Sequence, residues 1–401
     1  MSEFDEEIIR VAARGDGMTA SGRHVPGGAP GDRVSDDGTL HHGPHHAEPV
    51  CRHFGKCGGC QLQHLDDEAL GGFVADRVVH AALGQDIGPD QVAPVHLSPV
   101  AARRRASLHG ARVGGRIALG FSESQSHTIV NMTECPVIAP ELLAIVAPLR
   151  QLLARRDGGL AVDIELTLAT QGLDVAIKGL TVEGLAETEA CLDFARDHGL
   201  ARLSLDQGYG PESLWEPQPV TINLSGVEVA LPPGAFLQAT KDGEAALVSA
   251  AVEWLAGAPV VADLFSGLGT FAFALAKGGA KVLAAEADRA AHLACKGAAG
   301  AKMLPVHSLH RDLFRNPLLP DELNRFAGVV IDPPRAGARD QVGRIAASTV
   351  PRVVYISCNP ASWARDAALL KAGGYRLVEL RPVGQFRFST HVELASLFVK
   401  G

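Results

Sequence analysis

The sequence predicts an α/β protein in which a parallel sheet with helices on both faces follows a smaller β-rich region. Short apolar runs alternate with turns from Val92 to about Val229, which is typical of antiparallel sheet. After Gly234 the order becomes strand, glycine turn, helix, repeated several times, as in parallel sheets. The 401 residues exceed what one hydrophobic core usually holds, so we expect several domains. The expected domains span residues 1–40, 41–232 and 233–401.

The first 50 residues predict one strand, over residues 8–13, followed by polar sequence rich in glycine. A segment this short cannot bury a core of its own. It ends in a histidine tract, residues 41–46, which contains four histidines that offer metal ligands. A solvated linker is the favoured interpretation, because the tract has no fixed geometry.

The β-rich region predicts four short strands and one helix. Each strand is an apolar run bounded by turn residues. The predicted strands span residues 116–121, 162–168, 173–178 and 227–231, and the helix spans residues 183–198.

The C-terminal region predicts five strands separated by helical stretches rich in alanine. The first four strands are nearly continuous apolar runs, which indicates burial on both faces of the sheet. The predicted strands span residues 260–264, 281–286, 328–332, 352–357 and 394–399.

Composition excludes several classes of protein. With 46% hydrophobic and 20% charged residues, the chain is neither disordered nor collagen-like nor a coiled coil. No apolar run approaches the roughly 20 residues of a membrane span, and the acidic start lacks the basic end of a signal peptide. We therefore expect a cytoplasmic protein without a membrane partner, and no obligate protein partner is evident. The net charge of −8 means that any RNA must be bound by local basic patches.

A glycine-rich sequence, Asp-Leu-Phe-Ser-Gly-Leu-Gly-Thr at residues 263–270, follows the first strand of the C-terminal region. Its glycines let the backbone approach a ligand at the N-terminus of a helix. Glu286 ends the next strand, where a carboxylate accepts hydrogen bonds from a ribose diol; the alternative is a tight turn beside an exposed glutamate. The order resembles motif I of class I S-adenosylmethionine (SAM) methyltransferases, and this resemblance implies that Asp312 lies near the adenine.

Two further motifs end strands at the edge of the sheet where such folds place their chemistry. Asp332-Pro333-Pro334-Arg335 ends one strand, and Ser357-Cys358-Asn359-Pro360 ends the next. Cys358 is a candidate nucleophile, since a helix N-terminus lowers a thiol pKa, and the alternative is a packed thiol. Glu393, in His391-Val392-Glu393 before the last strand, is a candidate base held partly out of water.

Together these motifs resemble the family of RNA uracil-5 methyltransferases, over most of the chain from Cys51 to Lys400. The matching sequences are residues 233–238 (Pro-Gly-Ala-Phe-Leu-Gln), the glycine motif, Glu286, and residues 332–335, 357–360, 364–366 and 391–393.

The resemblance implies a covalent mechanism. Cys358 would add to carbon 6 of uracil, carbon 5 would take the methyl group of SAM, and Glu393 would remove the proton from carbon 5. Phe236 would be a stacking surface for a flipped base. The resemblance assigns contacts with SAM and uracil to Gln238, Phe265, Gly267, Gly269, Glu286, Asp312 and Asp332.

Four of the seven cysteines form the pattern Cys51-x5-Cys57-x2-Cys60, with Cys135 further along the chain. Four thiols in an intracellular chain indicate a metal site, and their spacing leaves zinc and an iron-sulfur cluster equally open. Members of the family specific for 23S rRNA carry this pattern and hold a 4Fe-4S cluster with it, which is what the resemblance implies here. Cys191 and Cys295 match no motif, so we expect buried structural thiols.

RNA contact is expected at Arg103-Arg104-Arg105, the densest basic run, where phosphate contact is favoured over a solvated face. The family also begins with an RNA-binding barrel of the TRAM type, of which only residues 8–34 look similar, so this barrel is expected to be truncated. Thr240 stands where the family usually has Asn, which implies rearranged cofactor contacts.

The sequence therefore predicts a SAM-dependent enzyme that makes 5-methyluridine in 23S rRNA and contains a structural 4Fe-4S cluster. The same reaction on tRNA, or on several RNAs, is the nearest alternative. A methyltransferase acting on nitrogen would have no use for Cys358 or Glu393. A non-catalytic RNA-binding or assembly protein would show no turnover.

Overall fold

The structure, a computed structural model, describes residues 6–156 and 158–401. Residues 6–41 form a small sheet with the strand order β3-β2-β1-β4-β5, in which all neighbours are antiparallel. Ile8, Val25 and Val34 form its small apolar cluster. The prediction of one strand here was wrong, and the sheet is more complete than the truncated segment that we expected. The strands are β1 (Glu6–Val11), β2 (Gly17–Thr19), β3 (His24–Val25), β4 (Arg33–Val34) and β5 (Leu40–His41).

The histidine tract packs against this sheet and is not a solvated linker. His46 Nδ1 lies 2.7 Å from a carboxylate oxygen of Asp32, a fully buried side chain. The ring of His42 stacks on that of His46, with ring centroids 3.5 Å apart. Asp32 also accepts hydrogen bonds from the backbone N–H groups of Ala29, within the sheet, and Gly43, so it holds the tract at two positions.

Residues 67–97 follow the N-terminal sheet in the chain but pack with the C-terminal region. They form helix α1 (Asp67–Leu83) and the short strands β6 (Gln91–Val92) and β7 (His96–Leu97). Asp66 caps the helix by accepting a hydrogen bond from the Ala69 N–H at 2.8 Å. The sequence analysis assigns this segment to the central domain, but both strands pair with a strand of the C-terminal sheet.

The central region is a six-stranded sheet with the order β13-β12-β11-β10-β8-β9. It is antiparallel, as predicted, except that β11 and β12 run parallel. Alternate residues of the strands are buried against three helices. The elements are β8 (Arg105–Val113), β9 (Arg116–Gly120), α2 (Pro140–Ala144), α3 (Val146–Ala154), β10 (Ala161–Ala169), β11 (Gly172–Lys178), α4 (Gly184–Asp197), β12 (Arg202–Asp206) and β13 (Pro211–Trp215).

A hairpin of β14 (Thr221–Leu224) and β15 (Val227–Ala230) follows. Its turn residues, Ser225 and Gly226, both have positive φ, 50° and 81°, as the twist of a tight hairpin favours. The buried side chains of the hairpin share an apolar cluster with the C-terminal helices. It therefore packs with the C-terminal region, although the sequence analysis places it in the central domain.

The C-terminal region is a mixed sheet with the order β18-β17-β16-β19-β20-β22-β21-β6, and β7 also pairs with β21. The five strands from β18 to β20 are parallel, which confirms the α/β prediction, whereas β22 is antiparallel to both neighbours. The elements are α5 (Lys241–Trp254), β16 (Val260–Leu264), α6 (Thr270–Lys277), β17 (Lys281–Glu286), α7 (Arg289–Ala301), β18 (Val306–His310), α8 (Pro320–Leu323), β19 (Gly328–Ile331), α9 (Arg339–Ala346), β20 (Arg352–Ser357), α10 (Pro360–Ala372), β21 (Tyr375–Gly384) and β22 (Glu393–Lys400).

Each face of this sheet has its own apolar cluster. Val329 and Val353 belong to one cluster, with α1 and α10, whereas the next residues, Val330 and Val354, belong to the other, with α5 and α6. Both faces are thus covered, and the polar residues that follow the parallel strands lie at one edge. Among the described residues, no helix combines the length and the apolar character needed to cross a membrane.

Candidate active site

The glycine loop connects β16 to α6, and the absence of a Cβ matters at both of its glycines, for different reasons. Gly269 has a φ of 97° and caps α6, and a Cβ there would lie 2.7 Å from the Phe273 ring and 3.0 Å from Cys295 Sγ. A Cβ on Gly267 would enter open space. Gly269 is therefore required by packing, whereas Gly267 leaves room for a ligand beside the backbone.

The other predicted cofactor residues follow the neighbouring strands. Glu286 ends β17 and accepts hydrogen bonds from the N–H groups of Gly267, at 2.9 Å, and Asp288, at 2.7 Å. Asp312, after β18, accepts from the Phe314 N–H at 2.9 Å. The Phe265 and Phe314 rings are 5.3 Å apart, so the loops after β16 and β18 meet here.

Two buried polar side chains of the glycine motif, Asp263 and Ser266, lack a hydrogen-bond partner among the described residues. The unpartnered atoms are the two carboxylate oxygens of Asp263 and the hydroxyl oxygen of Ser266. Burial, followed by the nearby Asp332, raises the pKa of Asp263 to about 8. A buried group without a partner is costly unless a ligand satisfies it. The loop thus fits a bound polar ligand.

Asp332 and Gln238 approach each other where β19 ends. Gln238 Nε2 donates to Asp332 Oδ2 over 3.3 Å, and only 4% of the Gln238 side chain is exposed. Burial raises the pKa of Asp332 to about 7. Asp332 is therefore a carboxyl group poised between its two protonation states at neutral pH.

Cys358 lies between β20 and α10, as predicted, but its acidity is opposite to expectation. Burial, then the neighbouring carboxyls of Glu393 and Asp332, raises its pKa to about 11, and Arg335 opposes this only in part. The prediction of a pKa lowered by the helix N-terminus was wrong, because burial and two carboxyls outweigh that field. The thiol is therefore protonated at neutral pH.

Glu393 begins β22 and lies close to Cys358. Its side chain is buried, and burial together with Asp332 raises its pKa to about 8. A base is most effective when its pKa is near the working pH. Glu393 therefore has a pKa in the range that suits a general base, and its carboxylate form increases as the pH rises through about 8.

Cys358 and Glu393 both line a cleft of about 570 Å³ between the central and C-terminal regions. Phe236, at its side, is 65% exposed, and the guanidinium of Arg105 lies 5.1 Å from the centre of its ring. Arg103 stacks in the same way on Phe386, at 5.3 Å. A cleft of this size with exposed aromatic faces suits a nucleobase taken out of its stack.

The basic run has two roles and not one. Arg103 and Arg105 line the cleft, in keeping with a contact to RNA. Arg104 is only 2% exposed, and it donates to the backbone oxygen of Gln238 at 3.0 Å and to Glu244 at 2.5 Å. Phosphate contact by Arg104 was a wrong expectation, because this side chain is buried in the support of the Gln238 loop.

Thr240 has a structural role. Its hydroxyl accepts from the Gly243 N–H at 3.1 Å and so caps α5, and it lies 2.9 Å from the hydroxyl of Ser98. Asn and Thr both serve as helix N-caps. Thr240 therefore caps α5 as the Asn that is usual in the family would.

The four predicted metal ligands lie together. Cys51, Cys57, Cys60 and Cys135 line one small cavity, also bordered by Arg103 and Phe121 of the cleft. Within the described residues no three His, Cys, Asp or Glu side chains are arranged to hold a single metal ion. Burial and the neighbouring thiols raise the pKa of Cys60 to about 12. Cys191 and Cys295 are buried elsewhere, as expected.

The sequence analysis missed Gln385 and Phe386, which lie between β21 and β22. Both line the cleft, and Gln385 Nε2 donates to Gln238 Oε1 at 2.8 Å. It also missed a loop of the central region, residues 121–125, on the opposite wall. The only signal in the sequence was the position of Gln385 directly after a strand, which many structural residues share.

Known proteins resemble the chain in both sequence and fold. A family model described as tRNA (uracil-5-)-methyltransferase matches residues 311–400. An uncharacterized RNA methyltransferase of Zymomonas mobilis is 47% identical over 397 residues, which cover 98% of this chain and all of that protein. These matches include the segments that carry Asp332, Cys358 and Glu393.

Two further comparisons concern proteins of stated activity. The 23S rRNA (uracil(1939)-C(5))-methyltransferase RlmD of Shewanella piezotolerans is 34% identical, over 88% of this chain and 82% of that protein. The crystal structure of tRNA (uracil-54, C5)-methyltransferase from Pyrococcus abyssi, in complex with S-adenosyl-L-homocysteine, shares the fold. It has a TM-score of 0.75 and 23% identity, and covers 99% of this chain and all of that one. The chain therefore belongs to the family of SAM-dependent RNA uracil-5 methyltransferases.

Proposed function

We propose that the protein methylates carbon 5 of a uridine in 23S rRNA, with Cys358 as nucleophile and Glu393 as base. The observation that carries the proposal is the cleft itself, because one thiol and one carboxyl of raised pKa line it together. Two carboxyl groups alone would suit proton transfer. A thiol beside a base suits a reaction that needs covalent activation.

The proposed reaction begins at Cys358. Its thiol gives up its proton to water in the cleft, and Sγ then bonds to carbon 6 of uracil while the electron pair of the 5,6 double bond moves toward carbon 5 and oxygen 4. Carbon 5 takes the methyl group of SAM, the second substrate, as the bond between that methyl group and the sulfonium sulfur breaks and S-adenosyl-L-homocysteine leaves. Glu393 then removes the proton from carbon 5, the double bond forms again, and the thiolate leaves.

The residues of the glycine loop fit the methyl donor. Gly267 has open space beside it, and Asp263 and Ser266 lack partners among the described residues. Glu286 would accept the ribose hydroxyls, while Phe265 and Asp312 would lie at the adenine. These assignments rest on the family and on the meeting of these residues at one edge of the sheet.

We assign 23S rRNA as the substrate because of the relative from Shewanella, which acts on that RNA, and because of the four cysteines. The test is mass-spectrometric mapping of 5-methyluridine in 23S rRNA and tRNA from a strain that lacks the gene. Loss of one modification from 23S rRNA is the expected result. A loss confined to tRNA would identify the alternative substrate, and unchanged modification of both would refute the proposal.

We also propose that Cys51, Cys57, Cys60 and Cys135 hold a 4Fe-4S cluster of structural role. The four thiols share one cavity, and four Cys ligands suit either a zinc ion or an iron-sulfur cluster. The choice of a cluster rests on the spacing of the cysteines, which resembles that of the family members specific for 23S rRNA. Bound iron would stabilise the thiolate forms that burial disfavours.

We propose that the N-terminal sheet, residues 6–41, is a TRAM-like RNA-binding unit. Its support is the presence of five strands within residues 6–41. The histidine tract connects the sheet to the following segment, since His46 lies beside Asp32 of the sheet and His45 Nδ1 lies 3.0 Å from Asp66 Oδ2, before α1.

A further inference from the structure

Three side chains and one backbone group form a chain of hydrogen bonds beneath the cleft. The Ala239 N–H donates to Gln385 Oε1 at 3.0 Å, and Gln385 Nε2 donates to Gln238 Oε1 at 2.8 Å. Gln238 Nε2 then donates to Asp332 Oδ2 at 3.3 Å. We call this chain, from Ala239 through Gln385 and Gln238 to Asp332, the amide relay. Gln385 is 1% exposed, so no solvent competes for its amide.

The relay has only one possible direction. A backbone N–H can only donate, so the Gln385 oxygen must face Ala239 and its NH2 group must face Gln238. The Gln238 oxygen then accepts, and its own NH2 group must face Asp332. As a result, Asp332 Oδ2 is held as an acceptor.

The relay connects Asp332 to the cleft, because Gln385 lines that cleft together with Cys358 and Glu393. Asp332 also contributes to the raised pKa values of both reacting groups. Among the described residues only Gln238 donates to its carboxyl, through Oδ2, which leaves the second oxygen for a substrate. Uracil has an N–H donor at position 3, whereas cytosine has an acceptor there. A carboxylate held as an acceptor bonds to the first base and repels the second.

We propose that Gln385 is a positioning residue that fixes the direction of the amide relay, and that this direction makes the site select uracil over cytosine. The inference rests on the proposed function. Gln385 acts through Gln238 and Asp332 and needs no contact with the uracil, although its side chain also hydrogen-bonds to Glu393.

Packing keeps Gln385 in place. A Cβ on Gly243, in the first turn of α5, would lie 2.8 Å from Gln385 Cβ and 3.1 Å from its Oε1. The loop of Gln238 is fixed from the other side, since Arg104 donates to its backbone oxygen at 3.0 Å. Neither amide can turn over without breaking a hydrogen bond in a dry environment.

Several titratable or charged groups belong to the elements packed around Gln385, and a test based on pH must consider them all. They are Glu393 on β22, Asp332 after β19, Cys358 after β20, His391 before β22, Arg104 before β8, and Glu244 and Asp242 on α5. Gln385 also forms a side-chain hydrogen bond with Glu393, so a substitution at Gln385 changes the surroundings of that carboxyl. Dividing each variant by the wild type at the same pH removes the titration of the RNA, and two variants, only one of which adds a charge, separate an effect on Glu393 from an effect on the relay.

The deciding variants are Gln385→Glu and Gln385→Met. An ionised glutamate has no donor for Gln238, so the Gln238 amide must reverse and turn its oxygen toward Asp332. A protonated glutamate has one donor and one acceptor, as Gln has, and restores the relay. Methionine keeps the volume but can never complete it.

The first measurement is the affinity for oligouridine relative to oligocytidine. We expect wild type to prefer oligouridine at pH 8, and Gln385→Glu to lose about tenfold of that preference there, because one misdirected hydrogen bond changes affinity by about this factor. As the pH falls from 8 toward about 7, the substituted carboxyl takes up a proton and the preference should return toward that of the wild type. Below about pH 7 Asp332 is itself protonated, so the comparison is made above that pH. Gln385→Met should lose the preference at every pH. A Gln385→Glu to wild-type ratio that is constant with pH, or a wild-type preference in Gln385→Met, would overturn the inference.

The second measurement is methyl transfer to an unmodified 23S rRNA transcript by the same three proteins. Gln385→Glu should again recover relative to wild type as the pH falls from 8 toward about 7. If the wild type methylates no uridine in any RNA tested, the proposed function is wrong, and the binding measurement still decides the role of Gln385.

Discussion

The molecule contains two sites where thiols are buried, and they differ in what opposes ionisation. In the cysteine cavity, burial and the other thiols raise the pKa of Cys60 to about 12. In the cleft, burial and two carboxyls raise the pKa of Cys358 to about 11. A cation can resolve the first situation, because it stabilises several thiolates at once. In the cleft, the Cys358 thiol can ionise only if its proton moves to another group in the site.

The two sites share a wall. Arg103 and Phe121 border both the cysteine cavity and the cleft. The cysteine segment also bonds to the cleft loop of the central region, since the Gly58 N–H donates to the Ser122 oxygen at 2.9 Å. The two thiol sites can therefore act independently, one in the reaction and the other in stabilising the fold, or they can be coupled through this wall.

Replacing the nucleophile should give the largest effect. We expect Cys358→Ala to lower methyl transfer more than about 1,000-fold, as loss of a nucleophile does, with SAM affinity nearly unchanged. RNA with 5-fluorouracil at the target should trap the wild type as a covalent adduct, since fluorine cannot leave as a proton. Half of the normal turnover in Cys358→Ala would end the covalent mechanism.

Removing the base should have the next largest effect. Glu393→Gln should slow turnover by about 100-fold or more and accumulate a methylated protein-RNA adduct, because proton removal is the last step. The adduct would be visible as a slow band on a denaturing gel and absent from Cys358→Ala. A folded variant that binds SAM, forms no adduct and keeps its rate would remove Glu393 from the mechanism.

The pH dependence gives a separate test of Glu393. Its folded pKa, about 8, lies above the usual value of 4.5, so the carboxylate that acts as base is present only as the pH rises through about 8. The wild-type single-turnover rate of adduct breakdown should therefore rise over that range. Breakdown in the Glu393→Gln variant should be slow and nearly flat with pH.

Disrupting the other thiol site should give a smaller effect of a different kind. Protein purified without oxygen should be brown and contain about four iron and four sulfide per chain. Cys57→Ser should lose iron and lower the Tm by at least about 5 °C. Cys191→Ala, a change of a buried thiol outside the cavity, is the matched control and should keep its iron. Stoichiometric zinc in a colourless, active wild type would refute the cluster.

The smallest effect is expected at the shared wall. Arg103→Gln should weaken RNA binding only a few-fold and lower the slope of log affinity against log salt by about 1, as loss of one phosphate contact does. Iron content should not change if the sites are independent. Loss of iron together with RNA affinity would show that the wall couples them.

Local signals were sufficient to predict much of the fold and the identities of the reacting residues. The strand that contains Asp263 and the strand before Cys358 were placed correctly at residues 260–264 and 352–357, because apolar runs and turn residues act within a few positions. The positions of Glu286 and Asp332 at strand ends followed directly.

Properties that depend on distant residues were not predictable. The pKa of Cys358 depends on Glu393, 35 residues further along the chain, and on burial by several elements. Arg104 looks like its neighbours in the sequence, yet Glu244 determines that it is buried. Gln385 gains its importance only from the approach of Ala239 and Gln238, about 147 positions earlier.

The pairing of β6 and β7 with β21 has a consequence for biosynthesis. Residues 91–97 leave the ribosome long before residues 375–384, so these strands stay unpaired while some 280 residues are made. The apolar face of α1 also stays uncovered during that time, because Phe73 and Val74 share the apolar cluster of Leu377 and Leu380. A C-terminal fragment cut at residue 233 would expose the edge of β21, a template for aggregation. The catalytic half of this protein is thus completed by its own N-terminal half and is not a transferable module.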